Sequence, residues 1–341
     1  MIRTVPAEWA PHRAMWVGFP SHPELWEEDL EPAQAEAAAL ARALAGPGGE
    51  RVRLLVNDAQ AERAARALLD DTAVEIVRGL FGDVWLRDTG PIYVKEGTDV
   101  RAVGFRFNGW GGKYVLDNDD AVAEQLAAAS GTPLERHEVV LEGGAVDHDG
   151  FGTALTTRQC LLNSNRNPGW DQGAAETILG EALGVRGVIW LGEGLRNDHT
   201  DGHIDNLARF VAPGVVACPV GTGPDDPNTA VYEAAARALG SARTARGAAI
   251  QTVRIASPGL QTDPHGELVP ASHMNFVVAN GAVVMPTYGA GGGDRASELA
   301  LETLKSLFPE RVVIGLPSRA LLTGGGSFHC ITQQEPVRWL E

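Results

Sequence analysis

The sequence is poor in cysteine, in basic residues and in long apolar runs. Among its 341 residues are three cysteines, and 28 lysines and arginines stand against 44 aspartates and glutamates, for a formal net charge of −16. Nucleic-acid binding needs clustered basic side chains, so this charge balance argues against a nucleic-acid partner. No run is apolar and long enough to span a bilayer, and the first residues lack the apolar core of a signal peptide. We therefore expect a cytoplasmic protein with no membrane partner.

The few cysteines also limit the chemistry. Their odd number gives no disulfide framework, and no paired Cys/His spacing indicates structural zinc. Cys160 and Cys218 lie in or beside apolar runs and are predicted to be inert packing residues. Cys330 differs, because it follows three glycines, among them Gly325, that let a small substrate come close to the backbone. We interpret Cys330 as a nucleophile whose reactive thiolate is favoured by a cationic substrate.

Turn signals divide the chain into a repeated unit that contains a hairpin, a helix and a further strand. The predicted hairpins cover residues 89–106, 143–157, 203–218 and 273–287, and a glycine-led strand at 324–334 comes last. The hairpins contain the turn pairs Glu96-Gly97, Asp149-Gly150, Pro213-Gly214 and Asn280-Gly281. The units recur at intervals of about 50 to 70 residues, near the upper end of known repeat periods.

Ala-rich helices and short apolar strands are predicted between the hairpins. The helices cover residues 32–45, 61–69, 119–129, 172–183, 230–239 and 295–307, and the strands 52–56, 74–77, 187–191, 251–255 and 312–316. About five such units suggest a closed α/β propeller, in which the early strand at 14–19 completes the last unit and closes the ring. No linker divides the chain, so a single domain is expected over residues 1–341. A plain doubly wound α/β fold is the structural alternative.

Two segments contain a charged residue at a boundary. One such residue stands just before a turn, and the other stands at the end of an apolar run. Asp88 stands just before a Gly-Pro turn, where loops present functional groups. Its alternative is a turn-initiating Asp with Arg87 in a surface ion pair. Trp85 is either a lid over a planar substrate or a core residue. Glu142 follows an apolar run and is costly to bury unless it is paired, with a solvated strand end as the alternative.

A third segment contains His203 and Asp205. If residues 202–205 are extended, the two side chains share one face of a strand, as a base and an anion in acid–base catalysis would. With His199 they also fit a metal pattern, but His199 and His203 would share a face only on a helix, and the Thr-Asp-Gly between them favours a turn. No other His-rich or Cys-rich segment supplies ligands, so no metal is expected.

Taken together, the segments resemble the agmatine deiminase family, within the guanidine-modifying enzymes that include bacterial peptidylarginine deiminases. The resemblance runs nearly end to end, through residues 6–12, 85–91, 107–112, 141–144, 161–168, 200–205 and 324–336. The sequence departs from the family at Ser327, where Asn is more usual, at His273, where an aromatic residue is common, and in the run at 289–293, which is longer in glycine than expected. These departures leave the reaction class alone and concern the specificity for the substrate's tail.

The resemblance implies a fivefold pseudosymmetric α/β propeller, the pentein fold, with its active site in a central channel. It implies a catalytic set of Asp88, Glu142, His203, Asp205 and Cys330. Substrate binding is assigned to Trp85, Asp88, Glu142, Asp205 and Gly325. No metal or organic cofactor is implied.

The reaction that the resemblance implies converts agmatine to N-carbamoylputrescine and ammonia, a step of polyamine biosynthesis. Carboxylates bind a planar guanidinium through parallel hydrogen bonds, so Asp88 and Asp205 are expected to hold it beneath the sulfur of Cys330. An S-alkylthiouronium intermediate then forms on Cys330, with His203 donating and accepting protons. Glu142 accepts from the guanidinium or orients His203, and the sequence does not decide between these roles.

Other functions stay open at this point. Free arginine needs a partner for its α-carboxylate, and Arg166 is the nearest candidate, although its loop indicates a structural role. A peptidyl-arginine substrate is disfavoured by the absence of an export signal. A non-catalytic propeller that serves as a binding module is a different class, because fold alone does not fix function. The oligomeric state is left open, a homo-oligomer included.

Overall fold

A computed structural model describes residues 3–289 and 294–338 of the chain. Its strands are β1 (Arg3–Thr4), β2 (His12–Gly18), β3 (Val52–Val56), β4 (Glu75–Arg78), β5 (Ile92–Glu96), β6 (Asp99–Arg106), β7 (Leu134–Val140), β8 (Val146–His148), β9 (Thr153–Thr157), β10 (Gly187–Leu191), β11 (Arg209–Ala212), β12 (Val215–Val220), β13 (Gln251–Ala256), β14 (Val277–Val278), β15 (Ala282–Thr287), β16 (Val312–Pro317) and β17 (Thr332–Pro336).

The α-helices are α1 (Pro23–Trp26), α2 (Leu30–Ala45), α3 (Ala59–Leu69), α4 (Leu86–Thr89), α5 (Gly109–Gly112), α6 (Val122–Ser130), α7 (Arg158–Leu161), α8 (Gln172–Leu183), α9 (Thr229–Ser241), α10 (Arg295–Leu307) and α11 (Arg319–Thr323). Short 3₁₀ turns cover Glu27–Asp29, Asp119–Ala121, Gly143–Ala145 and Ile204–Asn206. Within the described ranges, no helix is both long and apolar enough to cross a membrane.

The described strands form five sheets with the same internal topology. Their orders are β1-β5-β6-β7, β8-β9-β10, β11-β12-β13, β14-β15-β16 and β17-β2-β3-β4. Each sheet contains an antiparallel pair of strands, for example β8 with β9. A further strand then adds in parallel, as β10 does. Parallel neighbours need a crossover, which α2, α6, α8, α9 and α10 provide between their strands. The repeated hairpin–helix–strand unit predicted from the sequence is therefore present.

The fifth sheet joins the two ends of the chain. β17 pairs antiparallel with β2, with Thr332 opposite Val17 and Gln334 opposite Met15. The prediction that an early strand completes the last unit is confirmed. The last antiparallel pair is therefore assembled from both ends of the sequence, and Cys330 lies in the turn that immediately precedes β17.

Apolar stripes attach the helices to the sheets. In α2 the buried residues Ala37, Leu40, Ala41 and Leu44 recur at helical spacing, and the helix packs against β2, β3, β15 and β16. In the same way α9 covers β12 and β13. The apolar side chains therefore pack between each sheet and its helices. Polar residues stand at the starts of the inner strands.

Capping chemistry explains why α8 begins and ends where the sequence predicts. The Asp171 carboxylate accepts a hydrogen bond from the Ala174 N–H, which satisfies one of the free donors of the first turn. At the other end Gly184 adopts a left-handed conformation with φ of 73°, which terminates the helix. The same Asp cap stands at α10, where Asp294 accepts from the N–H of Ser297.

Three local predictions need correction. Residues 204–206 form a 3₁₀ turn, so the extended conformation considered for His203 and Asp205 does not occur. Arg87 is buried on α4 and donates to Gln333, so it is not a surface ion-pair partner. Strand β7 was not predicted, because its polar sequence has no continuous apolar run.

Candidate active site

Predicted site residues stand just before one strand of the antiparallel pair in four of the five sheets. Asp88 lies before β5, Glu142 before β8, His203 and Asp205 before β11, and Cys330 before β17. The predicted catalytic residues thus come from the same position of different units. The structure brings them together in the interior, where all five are buried.

A cavity of about 260 Å³ opens next to this group. Four of the predicted site residues line it: Trp85, Asp88, Gly325 and Cys330. The other lining residues are Leu25, Trp26, Asp83, Trp110, Tyr114, Leu116, His199, Thr200, Thr323, Gly324 and Gly326. The lining is aromatic and acidic, and among the described residues it contains neither lysine nor arginine. Glu142, His203 and Asp205 lie behind this surface.

Asp88 is held from two sides. Its Oδ1 accepts the N–H of Gly144 at 2.9 Å, and its Oδ2 accepts the indole N–H of Trp110 at 2.9 Å. The loop that carries Trp110 adopts a left-handed conformation, with φ of 53° at Trp110 itself, so that the indole can point at the carboxylate. Both contacts fix the plane of the Asp88 carboxylate beside the cavity.

Gly144 marks the point where three catalytic candidates converge. A Cβ at this position would lie 2.5 Å from Nδ1 of His203, 2.8 Å from Oδ1 of Asp88 and 3.1 Å from Oδ2 of Asp205. The imidazole Nδ1 is itself 3.7 Å from Oδ1 of Asp88. Only glycine leaves room for this arrangement, because any side chain would displace the imidazole or a carboxylate.

Glu142 and Cys160 lie together close to the His203 imidazole. Potential ligand atoms of Glu142, Cys160 and His203 all lie within 4.8 Å of one another. One oxygen of Glu142 accepts from Nε of Arg166 at 2.7 Å, while Oε2 has no hydrogen-bond partner within the described residues. This placement favours the orienting role for Glu142 over direct contact with a substrate. Cys160 is buried as predicted, but its surroundings are more polar than those of a packing residue.

Cys330 lies between Asp205 and an asparagine that the sequence analysis missed. Its Sγ is 3.1 Å from Nδ2 of Asn275 and 3.9 Å from Oδ2 of Asp205. Asn275 also accepts the N–H of His329 through Oδ1 at 2.9 Å. The sulfur therefore points into polar surroundings and lines the cavity.

The electrostatics of the site depend on burial. Burial raises the pKa of the Cys330 thiol well above its usual value, and the carboxylates of Asp205 and Asp88 raise it further. Burial also raises the pKa of Asp88, while the nearby His203 opposes this shift. For His203, burial works against the charged ring, but Asp88 and Cys160 raise its pKa well above the usual value. Both shifts favour the protonated forms of the Cys330 thiol and the His203 imidazole.

Two tryptophans and the glycine run shape the cavity wall. Asp83 accepts the indole N–H of Trp26 at 3.0 Å and that of Trp85 at 2.7 Å. A Cβ on Gly324 would lie 2.5 Å from the ring of Trp26, and one on Gly326 would lie 2.5 Å from that of Trp85. The glycines are therefore needed because the backbone passes directly over the two indoles.

The repeat itself holds the signal for the missed Asn275. Asn275 stands just before β14, at the position that Asp88, Glu142, Asp205 and Cys330 occupy in the other units. Comparing the starts of the hairpins would have identified it. Trp26 and Asp83 have no such signal, because their contact joins segments that are distant in sequence.

The metal pattern that was considered and set aside for His199, His203 and Asp205 is not assembled in the structure. His199 is exposed near the cavity mouth and contacts Tyr114, whereas His203 is buried. The group that could hold a metal within the described residues is instead Glu142, Cys160 and His203. Its carboxylate is already paired with Arg166. No cofactor is assigned to this group.

Comparison with known proteins agrees with the geometry. The model of the Porphyromonas-type peptidyl-arginine deiminase family matches residues 4–336. The chain belongs to this family. A curated relative, the agmatine deiminase of Stutzerimonas stutzeri, is 40% identical over 360 residues, which cover 98% of the chain and 95% of the relative. The agmatine deiminase of Pseudomonas aeruginosa strain LESB58 is 38% identical over 358 residues, with the same coverage of 98% and 95%.

Solved structures confirm the fold of this family member. The agmatine deiminase of Enterococcus faecalis superposes with a TM-score of 0.92 at 31% identity, covering 99% of this chain and 96% of that one. A substrate-bound agmatine deiminase of C. jejuni gives 0.88 at 27% identity, covering 99% and 97%. A DDAH of Pseudomonas aeruginosa gives 0.55 at 14% identity and supports the fold alone. The predicted α/β propeller of the pentein type is therefore confirmed.

The departures from the family pattern at Ser327 and His273 do not reach the cavity lining, and residues 290–293 of the glycine-rich run lie outside the described residues. The hydroxyl of Ser327 is buried and lies 2.7 Å from that of Ser318. His273 is buried between the carbonyl of Ala256 and the hydroxyl of Ser297, and it stacks on Tyr288. Both substitutions are accommodated within the protein interior and add no charge to the cavity wall.

Proposed function

We propose that this chain is an agmatine deiminase, which hydrolyses agmatine to N-carbamoylputrescine and ammonia. The observation that carries the proposal is the thiol of Cys330 at a cavity with acidic and aromatic walls. The curated relatives support it, because agmatine deiminases match almost the whole chain at about 40% identity.

The guanidinium is held by carboxylates on two sides. Asp88 lines the cavity, and Asp205 stands 3.9 Å from the Cys330 sulfur, with its Oδ1 free of partners within the described residues. A planar guanidinium between them donates in parallel pairs and places its central carbon next to the sulfur. The indole of Trp85 supports the flat face of the cation.

The bound cation also activates the nucleophile. Burial and the carboxylates of Asp205 and Asp88 raise the pKa of the Cys330 thiol. A guanidinium between these carboxylates neutralises their charge and adds a positive one beside the sulfur, so the thiolate becomes favourable. The substrate thereby brings the positive charge that favours the thiolate of Cys330.

The reaction then proceeds in two balanced halves. The Cys330 thiolate forms a C–S bond to the guanidinium carbon, and His203, whose raised pKa keeps it protonated, gives a proton to the amine that leaves as ammonia. Water then loses a proton to His203 and adds to the S-alkylthiouronium carbon. The C–S bond then breaks, the hydroxyl of the adduct loses its proton to solvent, the thiolate returns, and the neutral ureido product leaves. Glu142 holds the imidazole in place through both halves.

The cavity favours a substrate without a carboxylate. In the part of the chain that the structure describes, its lining has no lysine or arginine. Arg166 is engaged with Glu142, Asn165, Asp201 and the carbonyl of Thr200. The α-carboxylate of arginine would therefore meet the acidic side chains Asp83 and Asp88 without a partner. The ammonium tail of agmatine suits the same wall.

Ammonia release from agmatine, free arginine and a blocked arginine peptide tests this proposal. We expect the kcat/KM for agmatine to exceed that for arginine by about 100-fold or more, since an unpartnered carboxylate costs about 3 kcal/mol. A preference for arginine or the peptide would show the substrate assignment to be wrong. Loss of all three activities in a folded protein would instead favour a binding module.

A further inference from the structure

A buried line of side chains runs from the cavity side of the site towards the N-terminal segment. Nδ1 of His329 lies 2.8 Å from Oδ2 of Asp205, and its Nε2 lies 3.0 Å from Oε2 of Glu8. Asp205 in turn approaches the Cys330 sulfur at 3.9 Å. All four side chains are buried. The imidazole thus bridges two carboxylates, and the reaction described above does not use it.

The far end of this line is firmly anchored. Oε1 of Glu8 accepts the N–H of Val278 at 2.8 Å, and Oε2 is also paired with Arg209. Arg209 is fully buried, donates through Nε to Asp147 at 2.8 Å and packs over the ring of Phe276. Glu8 therefore has little freedom to move, and its position fixes the tilt of the His329 ring.

The near end leaves Asp205 with one oxygen engaged and one available. Oδ2 accepts from His329, while Oδ1 has no partner within the described residues although it is buried. An unpaired carboxylate oxygen in the interior is costly unless a ligand completes it. The ring can donate to Asp205 and Glu8 at once only when both nitrogens carry hydrogen.

The geometry points to Glu8 and His329 as positioning residues that keep Asp205 an oriented carboxylate, with Oδ1 free to accept from the substrate's guanidinium. This inference rests on the proposed function, because it assigns Asp205 to a cationic substrate. Burial alone would favour the protonated form of Asp205, but the hydrogen bond and charge of His329 bring its pKa below the usual value. The charged and titratable groups that face Asp205 or the His329 ring are Asp88, His203, Cys330, Arg209, Glu8 and Arg87.

The pH dependence of kcat/KM for agmatine in the His329→Asn variant tests this role. Asn can still donate to Asp205 but carries no charge. With the imidazole gone, burial dominates and the pKa of Asp205 rises, so the acidic limb of the profile should move up by about 1 to 3 units. Activity near neutral pH falls, and part of it returns as the pH is raised. A purely structural role would lower the whole profile and leave its limb in place.

Two further variants sharpen the test. Glu8→Gln should shift the limb in the same direction by less, since the ring loses its anionic partner but still donates to Asp205. The matched control is Asp147→Asn, which removes a carboxylate from the same Arg209, and we expect its limb to stay where the wild type has it. If His329→Asn does not fold by circular dichroism, the comparison of Glu8→Gln with Asp147→Asn decides.

The two proposals fail in different ways. A folded wild type that releases ammonia from none of the three substrates refutes the proposed function. An active wild type, with the acidic limbs of the folded His329 and Glu8 variants unchanged, refutes only the positioning role. Calorimetric titration of Cys330→Ser with agmatine supplies a readout without turnover, and weakening of its binding at low pH by His329→Asn supports the role.

Discussion

Two buried thiols lie near different members of the predicted catalytic set, and their surroundings differ in one decisive respect. Cys330 lines the cavity and has Asp205 and Asn275 beside its sulfur. Cys160, on α7, lies near His203 and Glu142 but does not line the cavity. Burial raises the pKa of both thiols. Neither burial nor a place beside a predicted catalytic residue therefore distinguishes the nucleophile here.

The difference lies in access to a cation. A guanidinium that enters the cavity reaches the Cys330 sulfur, where it can favour the thiolate. The Cys160 side faces the ion pair of Glu142 with Arg166, whose charges already satisfy each other. We infer that the fold reserves reactivity for the thiol that a substrate can reach, and keeps the second as a neighbour of the imidazole.

We expect Cys330→Ala to lower kcat more than any other substitution considered. Removing the nucleophile should lower kcat by more than about 10³-fold, because no other group can form the covalent intermediate. The thermal unfolding midpoint should change little, since the side chain faces a cavity. Ammonia release at more than a few per cent of the wild-type rate would show that Cys330 is not the nucleophile. In a slowed His203→Gln variant, mass spectrometry should find the adduct on Cys330 and on neither Cys160 nor Cys218.

A smaller effect is expected when charge alone is varied in a thiol reagent. Chloroacetamidine is cationic and chloroacetamide is neutral, although the two are similar in size. A cation a few ångströms from a thiolate gains about 4 kcal/mol at an effective dielectric of 20, so the cationic reagent should label Cys330 more than about tenfold faster. Rates are measured by peptide mapping and divided by those for glutathione, and agmatine should protect. Equal normalised rates would contradict activation by the substrate's charge.

The sequence alone predicts some elements and site residues of this fold but not others. Elements with strong periodicity and good caps, such as α8, were predicted to the residue. Cys330 could be found because its glycines are its sequence neighbours. The polar surroundings of Cys160 could not, since they are formed by residues that meet it only when the hairpins assemble. The hydrogen bond that Trp26 donates to Asp83 could not be predicted from the sequence for the same reason. The contact between His329 and Glu8 is a second example.

The Cys160→Ala variant tests the role of the second thiol, and we expect it to change activity the least. Cys160→Ala removes a neighbour of His203 but no group that touches the substrate, so kcat should fall by no more than about tenfold, or ~1.4 kcal/mol in the barrier. Its KM should stay the same, because Asp88 and Asp205 are untouched. The matched control is Cys218→Ala, a buried thiol on β12 that packs in an apolar cluster away from the imidazole, and its kcat should equal that of the wild type. A loss in Cys160→Ala as large as that in Cys330→Ala would give both thiols a direct part in the chemistry and remove the distinction that access to a cation makes between them.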